Sequence, residues 1–228
     1  MKRSRQQRLR ELGRDALWLI LPLAGLVLSI ATTLRLGLLE PEPPRQPDNI
    51  CEIFREHPVW YDYAAQSQER WGLPIATQMA FVYYESSFRS HARPPREKLL
   101  GFIPWNRPST AHGYSQALDP AWSEYLAEVN DGPFVVRTDM EYALDFIGWY
   151  NLLSHKQLGI ALTNPRHLYL AYHEGRAGYR RKTWAQKPII QSLAGKIEAR
   201  AWRYDHQLRQ CEAEFRCRHF YQFPPFCE

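Results

Sequence analysis

IATQMAFVYYESSF, residues 75–88, is the stretch on which the reading of this chain turns. It is apolar on several faces, which suits a helix buried from more than one side. Gly72 ends the segment before it, and Leu73-Pro74 restarts a helix with proline in its first turn. Glu85 falls near the end of the run, among Phe81, Val82, Tyr84 and Phe88. A carboxyl in such surroundings loses solvation, which disfavours its charged form and raises its pKa. A group that still holds a proton near neutral pH can serve as a general acid. A helix-end glutamate facing water is the plainer account of any single Glu, so the rest of the chain has to decide.

Upstream, residues 55–70, with Phe54, Tyr61, Ala65 and Gln68 among charged neighbours, predict an amphipathic helix. Downstream, Pro94, Pro95, Gly101, Pro104 and Pro108 forbid a long helix over 89–112 and predict a long loop. Loops of that length in compact domains are usually functional or mobile. Pro120 opens a helix over 120–130, and Asp131-Gly132-Pro133 breaks it. Thr138-Asp139 caps the next, over 139–157, with Glu141 in its first turn. Asn164-Pro165 starts another that runs into Tyr172-His173-Glu174-Gly175, and a last helix spans 184–210. No strand pattern of any length and no internal repeat stand out. The fold class expected is an all-α domain.

The N-terminus is different in kind. Residues 1–35 hold seven Lys/Arg and two acids, which leaves 22 basic and 22 acidic residues beyond them. The net charge of +5 is therefore local, and the outer part has no cationic field to attract nucleic-acid phosphates. From Ala16 to Leu34 nineteen residues pass without a charge. At about 1.5 Å per residue such a helix just spans a hydrocarbon core of roughly 30 Å. The basic flank places the N-terminus in the cytoplasm and all that follows Arg35 outside. A cleaved signal peptide is the competing reading; the run is longer than the usual apolar region of one, and no clear A-x-A site follows. The expected layout is a basic tail 1–15, a single transmembrane anchor 16–35 in the inner membrane, a proline-rich spacer 36–50 and an outer, periplasmic domain 51–228.

The cysteines Cys51, Cys211, Cys217 and Cys227 all fall in the outer part. An even count in an oxidising compartment predicts two disulfides, one tying Cys51 at the start of the domain to its tail, with connectivity open. A zinc site of Cys211, Cys217, His219 and Cys227 is the sharper alternative, but no C-x-x-C pair is present.

Three short motifs give the chain a family likeness. Glu85-Ser86-Ser87-Phe88 resembles the E-S-x-F signature of the SLT (soluble lytic transglycosylase) domains. Gly113-Tyr114-Ser115-Gln116 sits where that family has G-L-M-Q, and Ala171-Tyr172-His173-Glu174-Gly175 where it has A-Y-N-A-G. The resemblance covers about residues 60–190. It implies a lysozyme-like, mostly helical fold and cleavage of the β-1,4 bond between N-acetylmuramic acid and N-acetylglucosamine in peptidoglycan, with a 1,6-anhydro product and neither metal nor cofactor. It makes Glu85 the acid and base. It places Tyr172 beside Glu85, holding its carboxyl or the substrate, and makes Gln116 a hydrogen-bond partner of sugar amides. Ser86 and Tyr114 count as further substrate contacts, Tyr114 and Trp105 being the aromatics that favour the cleft over the core. By analogy, such enzymes serve secretion or other envelope-spanning machines.

Departures are visible too. Ser115 replaces a methionine, His173 and Glu174 replace Asn and Ala, and the interval from Glu85 to Gly113 is long. Glu174 near Glu85 would permit hydrolysis, as in a muramidase; the plainer reading is a local bridge to Arg176 or Arg180. A glycan-binding or scaffold protein that kept the fold without the chemistry is the alternative from another class.

Overall fold

Prolines and glycines set most of the helix boundaries in this chain. The computed structural model describes residues 22–23, 25–29, 41–99, 103–104, 106–129 and 135–216. The chain divides into two units, Met1–Pro41 and Glu42–Glu228. Most of the expected anchor, together with Trp105, Cys217 and Cys227, lies outside the described residues. Among the described residues no helix is long and apolar enough to cross a membrane.

In the second unit, α1 (Ile50–Glu56) and α2 (Pro58–Trp71) replace the single helix expected over 55–70. Pro58 has no N–H to continue the first helix, but it fits the opening turn of the second. Helix α3 (Ile75–Ser86) follows, then α4 (Asp119–Val129), α5 (Met140–Leu158) and α6 (Pro165–Arg180). A 3-10 turn (Thr183–Gln186) leads to α7 (Pro188–Cys211) and the short α8 (Ala213–Arg216). Asp139 caps α5 as the sequence predicts, accepting the Glu141 N–H at 3.1 Å. Asn164 caps α6 through the His167 N–H, also at 3.1 Å. The last helix starts at Pro188 rather than 184, because proline again fits the first turn.

One expectation needs correcting inside the 89–112 loop. Strands β1 (Lys98–Leu99) and β2 (Ile103–Pro104) pair antiparallel there. Two residues per strand are too few to show the alternation by which a sequence announces a strand.

Helix α3 is central: every residue from Ile75 to Val82 is buried. It packs chiefly on α7, and also on α2 and α5. Helices α2 and α5 lie against each other at close range. A Cβ at Gly148 would stand 2.5 Å from Ser67 Oγ, so only glycine allows this approach. The Ser67 hydroxyl uses the proximity, donating to the Leu144 carbonyl at 2.9 Å. Helix α6 rests on α5 and α7, with its aromatic face turned to α3.

The spacer expected over 36–50 is shorter than its composition suggests. Pro44 and Ile50 are buried. Arg200 of α7 donates to the Pro47 carbonyl at 2.9 Å and to Asp48 at 2.7 Å, and the Tyr204 hydroxyl donates to the same Pro47 carbonyl. Gln207 accepts the Ile50 N–H at 3.1 Å. Prolines keep this segment extended, and an extended chain offers its carbonyls to a neighbouring helix. A disulfide joins Cys51 of α1 to Cys211 at the end of α7, across 160 residues of sequence. It is the tie from the domain's start to its tail that the cysteine positions predicted. With Cys211 so committed, the zinc set that needed its thiolate is ruled out.

Candidate active site

The E-S-x-F motif closes α3 and reverses the chain. Glu85 occupies the last turn of α3. Ser86, expected as a substrate contact, is 2% exposed, and its hydroxyl donates back to the Val82 carbonyl at 3.0 Å. It closes the helix end and is not presented to a ligand. Ser87 and Phe88 both take left-handed backbone angles, φ 52° and 58°. Two non-glycine residues in that region cost about 1–2 kcal/mol each. Phe88 is held there by complete burial against Trp60 and Tyr83. The reversal ends α3 immediately beyond the carboxylate.

Glu85 retains some exposed surface, while its carboxyl is enclosed by protein. Burial raises its pKa from the ordinary 4.5 to about 7, against a hydrogen bond from the Tyr169 hydroxyl that favours the ionised form. Tyr169 and Tyr172 stand three residues apart on α6 and so share one face of that helix. Both rings lie edge-on to Phe81, with centroids 5.4 Å away. Burial, reinforced by the charge of Glu85, pushes both phenols well above their ordinary value. They stay protonated and act as fixed donors.

The resemblance made Tyr172 the residue beside Glu85, holding its carboxyl or the substrate. Tyr172 stands near enough for the charge of Glu85 to raise its phenol, while the hydrogen bond to the carboxyl comes from Tyr169. The Tyr172 hydroxyl donates at 2.6 Å to the carbonyl of Ser115, which ties α6 to the Gly113–Gln116 turn. The signal for Tyr169 was present in the sequence as its spacing, one helical turn before Tyr172.

The turn itself depends on Gly113, at φ 80°. A Cβ there would sit 2.0 Å from the Arg137 carbonyl, so no other residue fits. Gln116, also left-handed, spends its side-chain N–H groups on the carbonyls of Ala92 (2.9 Å) and Gly113 (2.8 Å). That pins the turn to the segment after α3 and leaves the amide oxygen as the end able to accept. Tyr114 is 1% exposed and packs edge-on against Trp60, so it belongs to the core and not to the wall of a cleft. Ser115 is also fully buried, so its side chain presents nothing at the position where the family carries methionine.

Glu174 bridges locally, but through different partners from the arginines considered. Its side chain is 4% exposed and meets Lys187 Nζ at 2.9 Å. Thr183 donates to it as well, and His173 Nδ1 lies 3.2 Å away. Burial works against its charge, yet the hydrogen bonds from Thr183 and Lys187 prevail and hold its pKa down to about 2. Arg176 pairs with Glu124 instead, at 3.0 Å. Gly175, at φ 72° and ψ 156°, breaks the helical path directly after Glu174 and sends the chain toward Thr183 and Lys187. Such angles are open essentially to glycine alone.

Two carboxylates on neighbouring elements are thus pushed in opposite directions, one toward holding a proton and the other toward permanent charge. A family model described as the transglycosylase SLT domain matches residues 18–211. No curated protein and no solved structure matches the chain.

Proposed function

This chain belongs to the transglycosylase SLT-domain family, and we propose that it is a peptidoglycan lytic transglycosylase with Glu85 as its single acid and base. The observation that carries the reading is the enclosed Glu85 carboxyl with its pKa near 7 and the Tyr169 hydroxyl on it. Protonated, Glu85 gives its proton to the glycosidic oxygen between N-acetylmuramic acid and N-acetylglucosamine as that bond breaks. The carboxylate left behind is the form that the Tyr169 hydrogen bond favours, so this contact strengthens as the proton leaves. Glu85 then takes the proton of the muramyl 6-hydroxyl, whose oxygen closes on C1 to form the 1,6-anhydro ring. In this reading the amide oxygen of Gln116, left over by its two backbone contacts, accepts an N–H from a sugar acetamido group, and the Tyr172 bond to Ser115 keeps that turn against α6.

A second carboxylate free to activate water would favour simple hydrolysis. Glu174, bound by Lys187 and Thr183, is poorly suited to that task. This supports cyclisation over a muramidase reaction. A desolvated carboxyl that costs stability argues against a glycan-binding scaffold. We further propose that residues 16–35 anchor the chain in the inner membrane with the domain outside. Cutting would then be confined to wall close to the membrane, where an envelope-spanning machine such as a secretion system needs a gap.

The test is digestion of purified peptidoglycan by residues 42–228, wild type beside Glu85→Gln, with products read by mass spectrometry. Anhydromuramyl ends from the wild type alone are expected. Reducing ends would mean hydrolysis. No product from a folded wild-type domain would favour the scaffold reading.

A further inference from the structure

A cavity of about 720 Å³ adjoins the Gly113–Gln116 turn at His112, and neither Glu85 nor Tyr169 nor Tyr172 lines it. Its charged and titratable lining is His91, Arg93, Arg107, His112, Asp119 and Arg137. Asp119 is the only carboxylate of this set, and Arg137 already pairs with it. The same guanidinium also donates to the carbonyls of Thr110 and Ala117, at 3.1 and 3.0 Å. Arg93 and Arg107 have no carboxylate partner among the described residues.

The imidazole of His112 gives independent testimony. Arg93 Nη2 lies 3.4 Å from His112 Nδ1. A guanidinium only donates, so Nδ1 accepts and the neutral ring carries its proton on Nε2. That Nε2–H is buried and has no partner among the described residues. Burial first, then the charges of Arg93 and Arg137, hold the ring's pKa down to about 4. Two guanidinium groups without a carboxylate, Arg107 donating to the Pro94 carbonyl and Arg93 to His112, beside an uncompensated buried donor make an environment completed by an anion.

Resting on the peptidoglycan reading above, the substrate narrows that anion to one source. While the muramic residues carry their peptides the glycan backbone is neutral, because each lactyl carboxyl is held in an amide, and the carboxylates belong to the peptides. Amidase stripping frees the lactyl carboxylate, which stays on the sugar ring, away from the reach of a peptide. Guanidinium forks match a carboxylate in shape as well as charge. We infer that this cavity receives a stem-peptide carboxylate, so that the enzyme selects glycan still bearing its peptides over glycan stripped of them.

Two measurements on the full chain in detergent test this, each with Arg93→Gln/Arg107→Gln for comparison. The first needs no catalysis: an isolated acidic stem tetrapeptide is titrated into the Glu85→Gln chain while the His112 ring nitrogens are followed by NMR. Saturable binding that draws the His112 pKa upward is expected, weakened about ten-fold or more in the double variant. The second compares cutting of peptide-bearing and amidase-stripped glycan. A wild-type preference of about ten-fold should fall toward unity in the double variant, a ratio that a general loss of folded protein leaves unmoved. Failure of the peptide to bind, or binding no tighter than inorganic phosphate, overturns the inference even if both glycans are cut. Peptide binding with neither glycan cut overturns the lyase reading and leaves the cavity assignment in place.

Discussion

Replacing Glu85 by glutamine should stabilise the fold, and only at high pH. The folded value, about 7, lies above the ordinary 4.5 of an exposed glutamate. Below pH 4.5 folded and unfolded chains both hold the proton, and Glu85 makes no difference. Between 4.5 and 7 the folded chain holds a proton that the unfolded chain has released, so stability falls as pH rises. The slope is at most about 1.4 kcal/mol per pH unit, which over this interval accumulates to about 3 kcal/mol. Above pH 7 the deficit is constant. Some of Glu85 still meets solvent, so the measured figure should be roughly 2–3 kcal/mol. Glutamine keeps an oxygen to accept from Tyr169 and carries no charge to desolvate. Urea denaturation of residues 42–228 should therefore show the two proteins within about 0.5 kcal/mol near pH 4.5 and the variant ahead by about 2–3 kcal/mol at pH 8. In thermal melts at pH 8 the gain corresponds to about 4–12 °C for a domain of this size. A difference of the same size at pH 4.5 and pH 8 would refute the reasoning, because only a pKa displaced by folding gives that pH dependence.

Tyr169→Phe removes the hydrogen bond that favours ionised Glu85, so the pKa of Glu85 should rise further. The basic limb of the pH–rate profile should move up by about one pH unit, with a lower maximum rate. Glu174→Gln separates a latch from a catalytic base: the depressed pKa of Glu174 stabilises the fold above pH 4.5, a contribution lost as pH falls toward 2. The variant should melt lower at pH 7 while still making anhydromuramyl ends; loss of cutting in a fully folded variant would return Glu174 to the chemistry. Cys51→Ser/Cys211→Ser should lower stability by about 2–5 kcal/mol at neutral pH, read by urea denaturation, since the bond closes a loop of 160 residues.

What could be read in advance divides along a physical line. The helices of the domain were legible because their starts and stops depend on local chemistry, such as Asp139 and Asn164 as caps and the prolines at first turns. Glu85 was legible because the apolar residues that surround it in sequence announce a desolvated carboxyl. The hydrogen bond of Tyr169, the burial of Tyr114 and the lysine on Glu174 depend on distant elements meeting in space. Short motifs mark those positions without saying which atoms touch. Ser86 shows the same limit: a motif serine can be required for the helix end it closes rather than for any ligand. Composition marks the proline-rich segment only as stiff, while Arg200, some 150 residues away, fastens Pro47 and Asp48 to the domain.

The opposed environments of Glu85 and Glu174 bear on the outcome of the reaction as well as its first step. An enzyme that hydrolyses needs two carboxyls with different duties at one bond. Here the second carboxyl is saturated by Lys187 and Thr183, at the point where Gly175 turns the chain away from its helical path. In the proposed reaction Glu85 alone then protonates the leaving oxygen and deprotonates the incoming one. A group with a pKa near 7 suits both transfers, since neither proton state is strongly preferred at neutral pH. An intramolecular hydroxyl already held beside C1 needs no second carboxylate to position it, whereas a water molecule does. The absence of a free base at Glu174 and the balanced pKa of Glu85 therefore argue for the same product, the closed anhydro ring.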